Sequence, residues 1–524
     1  MLDMFLAQAP AAPIEVPSVD YAAVLPMLIV FGVACIGVLV EAFAPKATRW
    51  GIQVSISLIA IIASGVSLIL YATGSSSTKA GTTTFSGAIS VDRPSLFLWG
   101  TLLLLGLGAV FLIADRKVEP GGAFVAQAAL PPGTKQDRAQ AATASQTEIF
   151  PLTLFALGGM MTFCAANDLL TMFIALEVLS LPLYLMCGLA RRRRLISQEA
   201  AVKYFLLGAF SSAFFLYGLA LLYGYAGSVK LADIAHAAAG SDRSDTLLFA
   251  GLGLLVVGLL FKGSVGPFHT WTPDVYQGAP TPVTAFMAAC TKVAAFGAIL
   301  RVLSVGFSST SWEWRGVMWA VAIISMALGA ILGLTQTDVK RMIAYSSVAH
   351  AGFLLVGAIA VTENGLSSTL FYLLAYGFTT LAAFGVVSLV RDSSGEATHL
   401  SAWAGLAKRS PLLAGVFTFL LLALAGIPLT SGFVGKFVVF SAALSDGMAP
   451  LVVVALVFSA VAAFFYLRVV VLMYFSEPAA DGPTVTVPGG FTTAAITLGV
   501  IVTLVLGVLP AFALNWAGAG GFAS

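Results

Sequence analysis

Charged side chains are scarce in this chain of 524 residues. Only 10% of the residues are Asp, Glu, Lys or Arg, against roughly 25% in a typical soluble domain. So few charges cannot cover the surface of a soluble protein of this length, and a net charge of +2 is too small for a surface that follows nucleic-acid phosphates. The composition therefore excludes a soluble enzyme, a disordered protein and a nucleic-acid-binding protein.

Metal-binding and cofactor-binding motifs are also missing. The four cysteines show no CxxC spacing, no histidine pair has HExxH spacing, and no dinucleotide-binding glycine pattern occurs. The run Gly432–Lys436 ends in Gly-Lys, but Thr430 and Phe437 occupy positions where a phosphate-binding loop needs Gly and Ser or Thr. We therefore expect no metal ion and no redox cofactor in this chain.

Long apolar runs dominate the sequence instead. Hydrophobic residues make up 59% of the chain, and the mean hydropathy is +0.97. A helix needs about 20 apolar residues to cross a bilayer. Fourteen runs meet this need, and they predict an all-α polytopic membrane protein with spans at 21–44, 51–72, 94–114, 148–166, 169–189, 200–226, 245–263, 281–304, 315–334, 342–361, 366–390, 411–445 (interrupted), 450–475 and 491–515.

The lysines and arginines near the span ends predict the orientation. If the N-terminus lies on the outer side, most of them fall on the inner side, including Lys340 and the run Arg191–Arg194, whereas Arg301 falls on the outer side. The arginine run is then expected to anchor the topology against anionic lipid. An even number of spans places both termini outside. The segment 115–147, rich in Ala, Gly, Pro and Gln, is predicted to be a flexible inner-side insertion.

A small set of charged residues lies inside the predicted spans. A charge near the bilayer centre costs at least about 2.5–3.5 kcal/mol, so it rarely persists without a role or a partner. Lysine and glutamate both exchange protons, and burial brings that exchange towards working pH. The set therefore predicts a proton relay. The alternative is a group of ion pairs that only hold helices together, with Tyr466 and Tyr474 as local partners of the arginine. The charged residues inside the predicted spans are Lys203, Lys262, Lys292, Lys436, Arg468 and Glu177.

Two spans are interrupted, and each interruption adjoins a lysine. Lys262 precedes the Gly263–Pro267 break in span seven, and the Gly426–Pro428 break precedes Lys436 in span twelve. Broken helices in corresponding places of two halves indicate an ion pathway near the membrane midplane; the alternative is two unrelated proline kinks. The breaks predict two repeats, spans 4–8 and 9–13. The predicted domains are an N-terminal three-helix segment with the insertion, the two repeats and a C-terminal helix, at 1–147, 148–304, 305–475 and 476–524.

Four segments resemble the antiporter-like, proton-translocating membrane subunits of respiratory complex I. They are LEVLSLP at 176–182, KGSVGPFHTWTPDVYQGAPTPVTAF at 262–286, DVKRMIAYSSVAH at 338–350 and GIPLTSGFVGK at 426–436. Their order and spacing match the family across most of the chain. Within that family, Lys436 stands where the M subunit carries a glutamate, and the chain stops soon after span fourteen, without the long lateral helix of the L subunit.

The resemblance implies fourteen helices, two inverted five-helix repeats with helices 7 and 12 broken, and a chain of buried charges that carries protons. Glu177 and Lys262 would form a coupled ion pair, with Lys203 as an additional partner near the glutamate. Lys292 would be the central proton carrier. His350 would be a bridge towards Lys436, which would pass the proton to the outer side. The alternative for His350 is a satisfied core histidine.

The resemblance also implies the setting. The chain would be a subunit of an NADH–quinone oxidoreductase in a bacterial plasma membrane, in contact with lipid, the antiporter-like M subunit and the small K- and J-type subunits. NADH, FMN, iron–sulfur clusters and quinone would be bound by partner subunits. Three alternatives remain open: a subunit of an Mrp-type cation/proton antiporter, the membrane subunit of a membrane-bound hydrogenase, and a scaffold that pumps nothing.

Overall fold

The computed structural model describes residues 19–74, 81–119, 122–125, 134–136, 146–240, 244–392, 395–478 and 482–523. Most of these residues are helical, which confirms the predicted all-α class. Within these ranges, eleven helices are long and apolar enough to cross a membrane. The shorter apolar helices lie mainly at the two predicted breaks: they are Ile149–Ala165, Thr246–Lys262, Pro411–Ala425 and Ser431–Ser445.

The N-terminal part consists of three helices and a small hairpin. The elements are α1 (Tyr21–Phe43), α2 (Lys46–Thr73), β1 (Thr82–Thr84), β2 (Ile89–Val91) and α3 (Arg93–Ala114). The two strands are antiparallel, with Thr82 opposite Val91. Asp92 begins α3 by accepting a hydrogen bond from the backbone N–H of Ser95, which satisfies one of the free donors of the first helical turn.

The middle of the chain forms the first group of packed helices. They are α4 (Ile149–Ala165), α5 (Leu169–Cys187), α6 (Arg194–Ala226), α7 (Leu231–Gly240), α8 (Thr246–Lys262), α9 (Trp271–Gly278) and α10 (Thr281–Gly306). The predicted break is present, because α8 ends at Lys262 and helical structure resumes only at Trp271. A π-helical turn, Met287–Thr291, lies within α10 immediately before Lys292; such turns are frequent at functional sites.

The remaining helices complete the molecule. They are α11 (Ser311–Thr335), α12 (Val339–Ile359), α13 (Glu363–Val387), α14 (Leu406–Arg409), α15 (Pro411–Ala425), α16 (Ser431–Ser445), α17 (Ala449–Phe475), α18 (Gly490–Val508) and α19 (Ala511–Ala517). The second predicted break separates α15 from α16. Strand β3 (Val390–Asp392) pairs antiparallel with β4 (Gly395–Glu396) and with β5 (Thr484–Val485).

The helices form a buried centre and a lipid-accessible periphery. Helices α10 and α13 are buried along their apolar length, and α12 nearly so. Helices α1, α2, α11 and α17 instead expose much of their apolar surface. A helix that is apolar all round is stable only when protein or lipid surrounds it. Polar residues on the central helices are therefore shielded from lipid, and the candidate site lies there.

Two cations predicted outside the membrane are buried. Arg301, predicted on the outer side, lies in α10 with no exposed surface and forms an ion pair of 2.9 Å with Asp92. Lys340, predicted in an inner loop, lies in the first turn of α12, where Nζ donates to the carbonyl oxygen of Ala279 at 2.9 Å. The predicted side of the membrane stays a prediction for both, but neither lies in an exposed loop, because the sequence does not show that a partner covers them.

Much of the predicted insertion 115–147 lies outside the described residues, and its predicted flexibility is not tested. The described piece 122–125 packs on the turn before α6: Phe124 forms an antiparallel bridge with Ala190, and Val125 N–H donates to Leu189 O at 2.9 Å. Beside it, Arg192 pairs with Glu119 at 2.9 Å. This part of the arginine run therefore contacts protein.

Candidate functional site

Lys262 lies at the end of α8, where the helix breaks, and its side chain is buried against α5 and α6. Nζ donates a hydrogen bond to Oγ of Ser180 at 2.7 Å and to the hydroxyl of Tyr204 at 3.1 Å. Nζ also lies 5.1 Å from the centre of the Tyr204 ring, within range of a cation–π interaction. Neutral groups therefore hold this ammonium.

Glu177 lies one helical turn before Ser180 on α5. Its Oε1 atom is buried without a hydrogen-bond partner, and among the described residues no ion pair involves this carboxylate. The expected direct ion pair with Lys262 is absent here because the hydroxyl of Ser180 takes the ammonium.

Lys203 has partners other than the expected one. Its Nζ lies 2.7 Å from a carboxylate oxygen of Glu199 and 2.7 Å from Oδ2 of Asp274. Its side chain is 41% exposed. In this structure Lys203 therefore pairs with these two residues instead of Glu177, because Glu199 lies one turn away on the same helix and α9 presents Asp274 to α6.

Asp274 joins three helices, and sequence reasoning gave it no role. Its Oδ1 atom accepts a hydrogen bond from Nη1 of Arg341 on α12 at 2.6 Å, while Oδ2 faces Lys203 on α6. The signal was available: Asp274 lies in the 262–286 motif and Arg341 in the 338–350 motif. The second half of the broken span is thereby fixed to helices on both sides of it.

Lys292 lies in the centre of the molecule, on α10. Nζ donates to the carbonyl oxygen of Gly263 at 3.0 Å and to that of Ser347 at 2.9 Å. It also lies 5.6 Å from the centre of the Tyr376 ring. The last carbonyl groups of a helix have no partner within it and carry partial negative charge. The break after Lys262 therefore provides an acceptor for Lys292.

His350 lies on α12 between α13 and α17. Nδ1 is 2.6 Å from the hydroxyl oxygen of Tyr372, and Nε2 is 3.3 Å from that of Tyr466. The ring is fully enclosed, with 1% of the residue exposed. Tyr466 was predicted as a partner of Arg468, but Nη1 of Arg468 donates to Leu334 O at 3.1 Å.

Lys436 lies in the first turns of α16, beyond the second break. Nζ donates to the carbonyl oxygens of Leu424 and Ala425, at 3.1 and 2.9 Å, and to Oγ of Ser459 on α17 at 3.0 Å. It lies 5.1 Å from the centre of the Phe353 ring. Lys436 thus binds the C-terminal end of the half-helix α15, as Lys292 binds the carbonyl that follows α8.

Further polar atoms surround these residues. Two hydroxyl groups, those of Thr291 on α10 and Ser431 on α16, are buried without a hydrogen-bond partner in the described part of the chain. Buried polar groups that lack a protein partner are ordinarily satisfied by water. The centre of the molecule is therefore suited to water between the titratable groups.

A metal site has no counterpart in the described ranges, where no group of three His, Cys, Asp or Glu residues is placed to hold an ion. The arrangement instead brings four titratable groups, Lys262, Lys292, His350 and Lys436, into the buried centre. Such a set can accept and release protons.

Comparison with known families gives a consistent result. The family model described as NADH:quinone oxidoreductase/Mrp antiporter, transmembrane, matches residues 166–476. The chain is 76% identical to NADH-quinone oxidoreductase subunit N of Saccharopolyspora erythraea, over 98% of this chain and 99% of the relative. It is 59% identical to the subunit N of Acidothermus cellulolyticus, over 97% of both chains.

Solved structures show the same fold. A chain of respiratory complex I from Thermus thermophilus superposes with a TM-score of 0.75 at 34% identity, over 95% of this chain and all of the other. A chain of the Mrp complex from a Dietzia species gives a TM-score of 0.78 at 21% identity, over 94% of this chain and 96% of the other. The second likeness concerns the fold alone.

Proposed function

The chain belongs to the NADH:quinone oxidoreductase/Mrp antiporter transmembrane family, and we propose that it is a proton-translocating subunit of the membrane arm of an NADH–quinone oxidoreductase. The family expected from the four sequence motifs is thereby confirmed. High identity to subunit N over nearly the full length of both chains supports the more specific assignment. The likeness at 34% identity to a chain of complex I supports work within a multi-subunit enzyme.

The proposed route runs through the buried centre. The ammonium of Lys262 moves between Ser180 and Glu177. Lys292 carries the proton through the centre of the molecule, and His350 passes it towards Lys436. Lys436 releases it towards the outer side. Lys203 contributes without contacting Glu177: its ion pair with Asp274 connects α6 to the second half of the broken span.

One observation carries this proposal: three buried lysines are held by neutral oxygen atoms. Lys262 donates to hydroxyl groups, and Lys292 and Lys436 donate mainly to backbone carbonyl groups. When an ammonium in an ion pair loses its proton, it leaves a buried anion without a partner, which is strongly unfavourable. Loss of a proton beside neutral acceptors leaves no such anion. These lysines are therefore suited to changing their charge repeatedly.

The proposed architecture has fourteen spans in a bacterial plasma membrane, with both termini outside. Spans 4–8 and 9–13 form inverted repeats within the domains 1–147, 148–304, 305–475 and 476–524. The two breaks occupy matching positions in spans seven and twelve, and each adjoins a buried lysine, which supports the repeats. The predicted neighbours are the M subunit, the small K- and J-type subunits, and lipid.

Electron transfer takes place elsewhere in this proposal. NADH, FMN, iron–sulfur clusters and quinone are bound by partner subunits, and this chain contributes proton movement without a redox group of its own. Because the same fold occurs in the Mrp complex, cation/proton exchange independent of NADH is the competing activity.

Purification separates the two activities. The complex would be extracted from membranes, its subunits identified by mass spectrometry, and the intact complex placed in lipid vesicles. NADH oxidation with quinone as acceptor should acidify the vesicle interior when the inner side of the protein faces the medium. Co-purification of NADH-oxidising and quinone-binding chains is expected. Cation-driven proton exchange without those chains would favour the Mrp-type activity and contradict the proposal.

A further inference from the structure

The two ring nitrogens of His350 face two different helices. Nδ1 meets the hydroxyl of Tyr372 on α13, and Nε2 meets the hydroxyl of Tyr466 on α17. The Tyr466 hydroxyl also hydrogen-bonds Oγ of Ser346, on the same helix as His350. All four residues are buried. They form one continuous hydrogen-bonded chain.

The number of available donors determines which atoms donate and which accept in this hydrogen-bonded chain. A neutral imidazole has one N–H donor and one acceptor nitrogen. Within the described part of the molecule, Nδ1 of His350 is the one hydrogen-bond partner of the Tyr372 hydroxyl. If that hydroxyl did not donate to Nδ1, a buried O–H would be left unpaired, which is unfavourable. Nδ1 is therefore the acceptor, and Nε2–H donates to Tyr466, whose hydroxyl donates to Ser346.

We propose that Tyr466 is a positioning residue of the proton pathway, because its hydroxyl accepts the Nε2–H of neutral His350 and, with Tyr372 on the other ring nitrogen, holds the ring in one orientation. The proposal rests on the proton-translocating function above and adds a residue of α17 to it. In this tautomer the acceptor nitrogen faces α13, where Tyr376 adjoins Lys292. A proton arriving from Lys292 thus reaches the acceptor nitrogen Nδ1 by way of the Tyr372 hydroxyl, which donates to it.

The opposite side of the ring faces the helix that binds Lys436. Ser459 and Tyr466 both belong to α17, seven residues or about two turns apart, so they lie on the same face. Ser459 accepts a hydrogen bond from Lys436, while Tyr466 binds His350. One face of α17 thus orients two members of the pathway, although much of this helix is exposed to lipid.

The test uses Tyr466→Phe, which keeps the ring and removes only the hydroxyl. NADH-driven acidification and quinone reduction would be measured in vesicles that contain the intact complex, together with assembly on native gels and thermal stability. We expect pumping to fall roughly two- to tenfold, as for loss of one hydrogen bond. Assembly, stability and the KM for NADH should stay unchanged. Tyr474→Phe, on the same helix and 39% exposed, is the matched control and should pump like the wild type.

A second variant tests whether the Tyr466 hydroxyl acts as part of the hydrogen-bonded chain that ends at Ser346. Ser346→Ala removes the acceptor of the Tyr466 hydroxyl, so that hydroxyl is no longer held in the orientation that accepts Nε2–H of His350. Ser346→Ala should therefore lower pumping alone and add nothing to Tyr466→Phe. Normal pumping by Tyr466→Phe, or full additivity of the two changes, would overturn the proposal. If Tyr466→Phe does not assemble, normal pumping by Ser346→Ala alone overturns it.

The outcome for Tyr466 is separable from that for the proposed function. If Lys436→Met and Lys262→Ala stop pumping while Tyr466→Phe pumps normally, the pathway stands and only the role of Tyr466 fails. If both lysine variants pump normally in assembled complexes, the pathway itself is wrong.

Discussion

Nζ of Lys436 lies 2.9 Å from the carbonyl oxygen of Ala425, the last residue of the half-helix α15. At the other break, the carbonyl oxygen of Gly263, the residue that follows α8, lies 3.0 Å from Nζ of Lys292 on α10. Each break thus frees backbone carbonyl groups inside the membrane, and a lysine from another helix satisfies them. The breaks and the buried lysines are therefore linked, because each break offers backbone carbonyl oxygens to a buried ammonium.

Lys262→Ala should interrupt proton movement between Glu177 on α5 and Lys292 in the centre of the molecule. We expect NADH-driven proton movement to fall roughly tenfold or more, since loss of a positioned acid–base group typically costs factors of about 10² to 10⁴. Assembly should persist, because the partners of Lys262 are neutral and keep no unpaired charge. Vesicle acidification measures proton movement, and native gels measure assembly. Lys408→Ala, at an exposed lysine paired with Glu477, is the control; equal pumping by both variants would count against the site.

Glu177 tests whether the ammonium of Lys262 has a second position. Glu177→Gln removes the charge and should lower pumping, whereas Glu177→Asp keeps the charge with a shorter reach and should lower it less. Glu199→Gln is the comparison, because that carboxylate contacts Lys203 at the protein surface. Pumping rates of the three variants would be compared at equal complex content. Wild-type pumping by Glu177→Gln would show that Lys262 does not use this carboxylate.

The pair Arg301–Asp92 predicts a stability effect without a direct role in pumping. Asp92→Ala leaves Arg301 buried beside neutral groups, namely the Ser95 hydroxyl, the Cys164 carbonyl and the Phe522 ring. Removing one partner of a buried ion pair typically destabilises by about 3–5 kcal/mol. We therefore expect loss of assembly or a markedly lower melting temperature.

A surface pair provides the comparison for that prediction. Arg315 and Asp446 also form an ion pair, with both side chains partly exposed. Exposed pairs contribute about 0–1 kcal/mol, so Asp446→Ala should change the melting temperature little. Equal stability of the Asp92→Ala and Asp446→Ala complexes would contradict the structural role assigned to Asp92.

Parts of the structure followed from local sequence features, and parts did not. Both breaks could be located because Gly and Pro interrupt helical hydrogen bonding wherever they occur in an apolar run. The buried lysines could be found because charge is rare in a membrane. The partner of each charge could not be found, since Ser180, Ala425 and Asp274 come from distant segments that only the folded chain brings together.

Arg301 and Tyr466 illustrate what was missed. Arg301 lies near the end of a predicted span, where a lone cation ordinarily reaches water, and only packing shows that Asp92 covers it. Tyr466 was assigned to Arg468 because the two are close in sequence. On a helix, residues two apart point in different directions, so Tyr466 faces His350 while Arg468 reaches Leu334.

The most direct test of the account compares Lys436→Arg with Lys436→Met in proteoliposomes containing the intact complex, as protons moved per NADH oxidised. Lys408→Arg is the control. Arginine keeps the positive charge but does not release its proton in proteins. The account predicts that Lys436→Arg assembles yet pumps nearly as poorly as Lys436→Met. If Lys436→Arg pumps like the wild type while Lys436→Met fails to assemble, Lys436 is a structural charge and the proton leaves by another route.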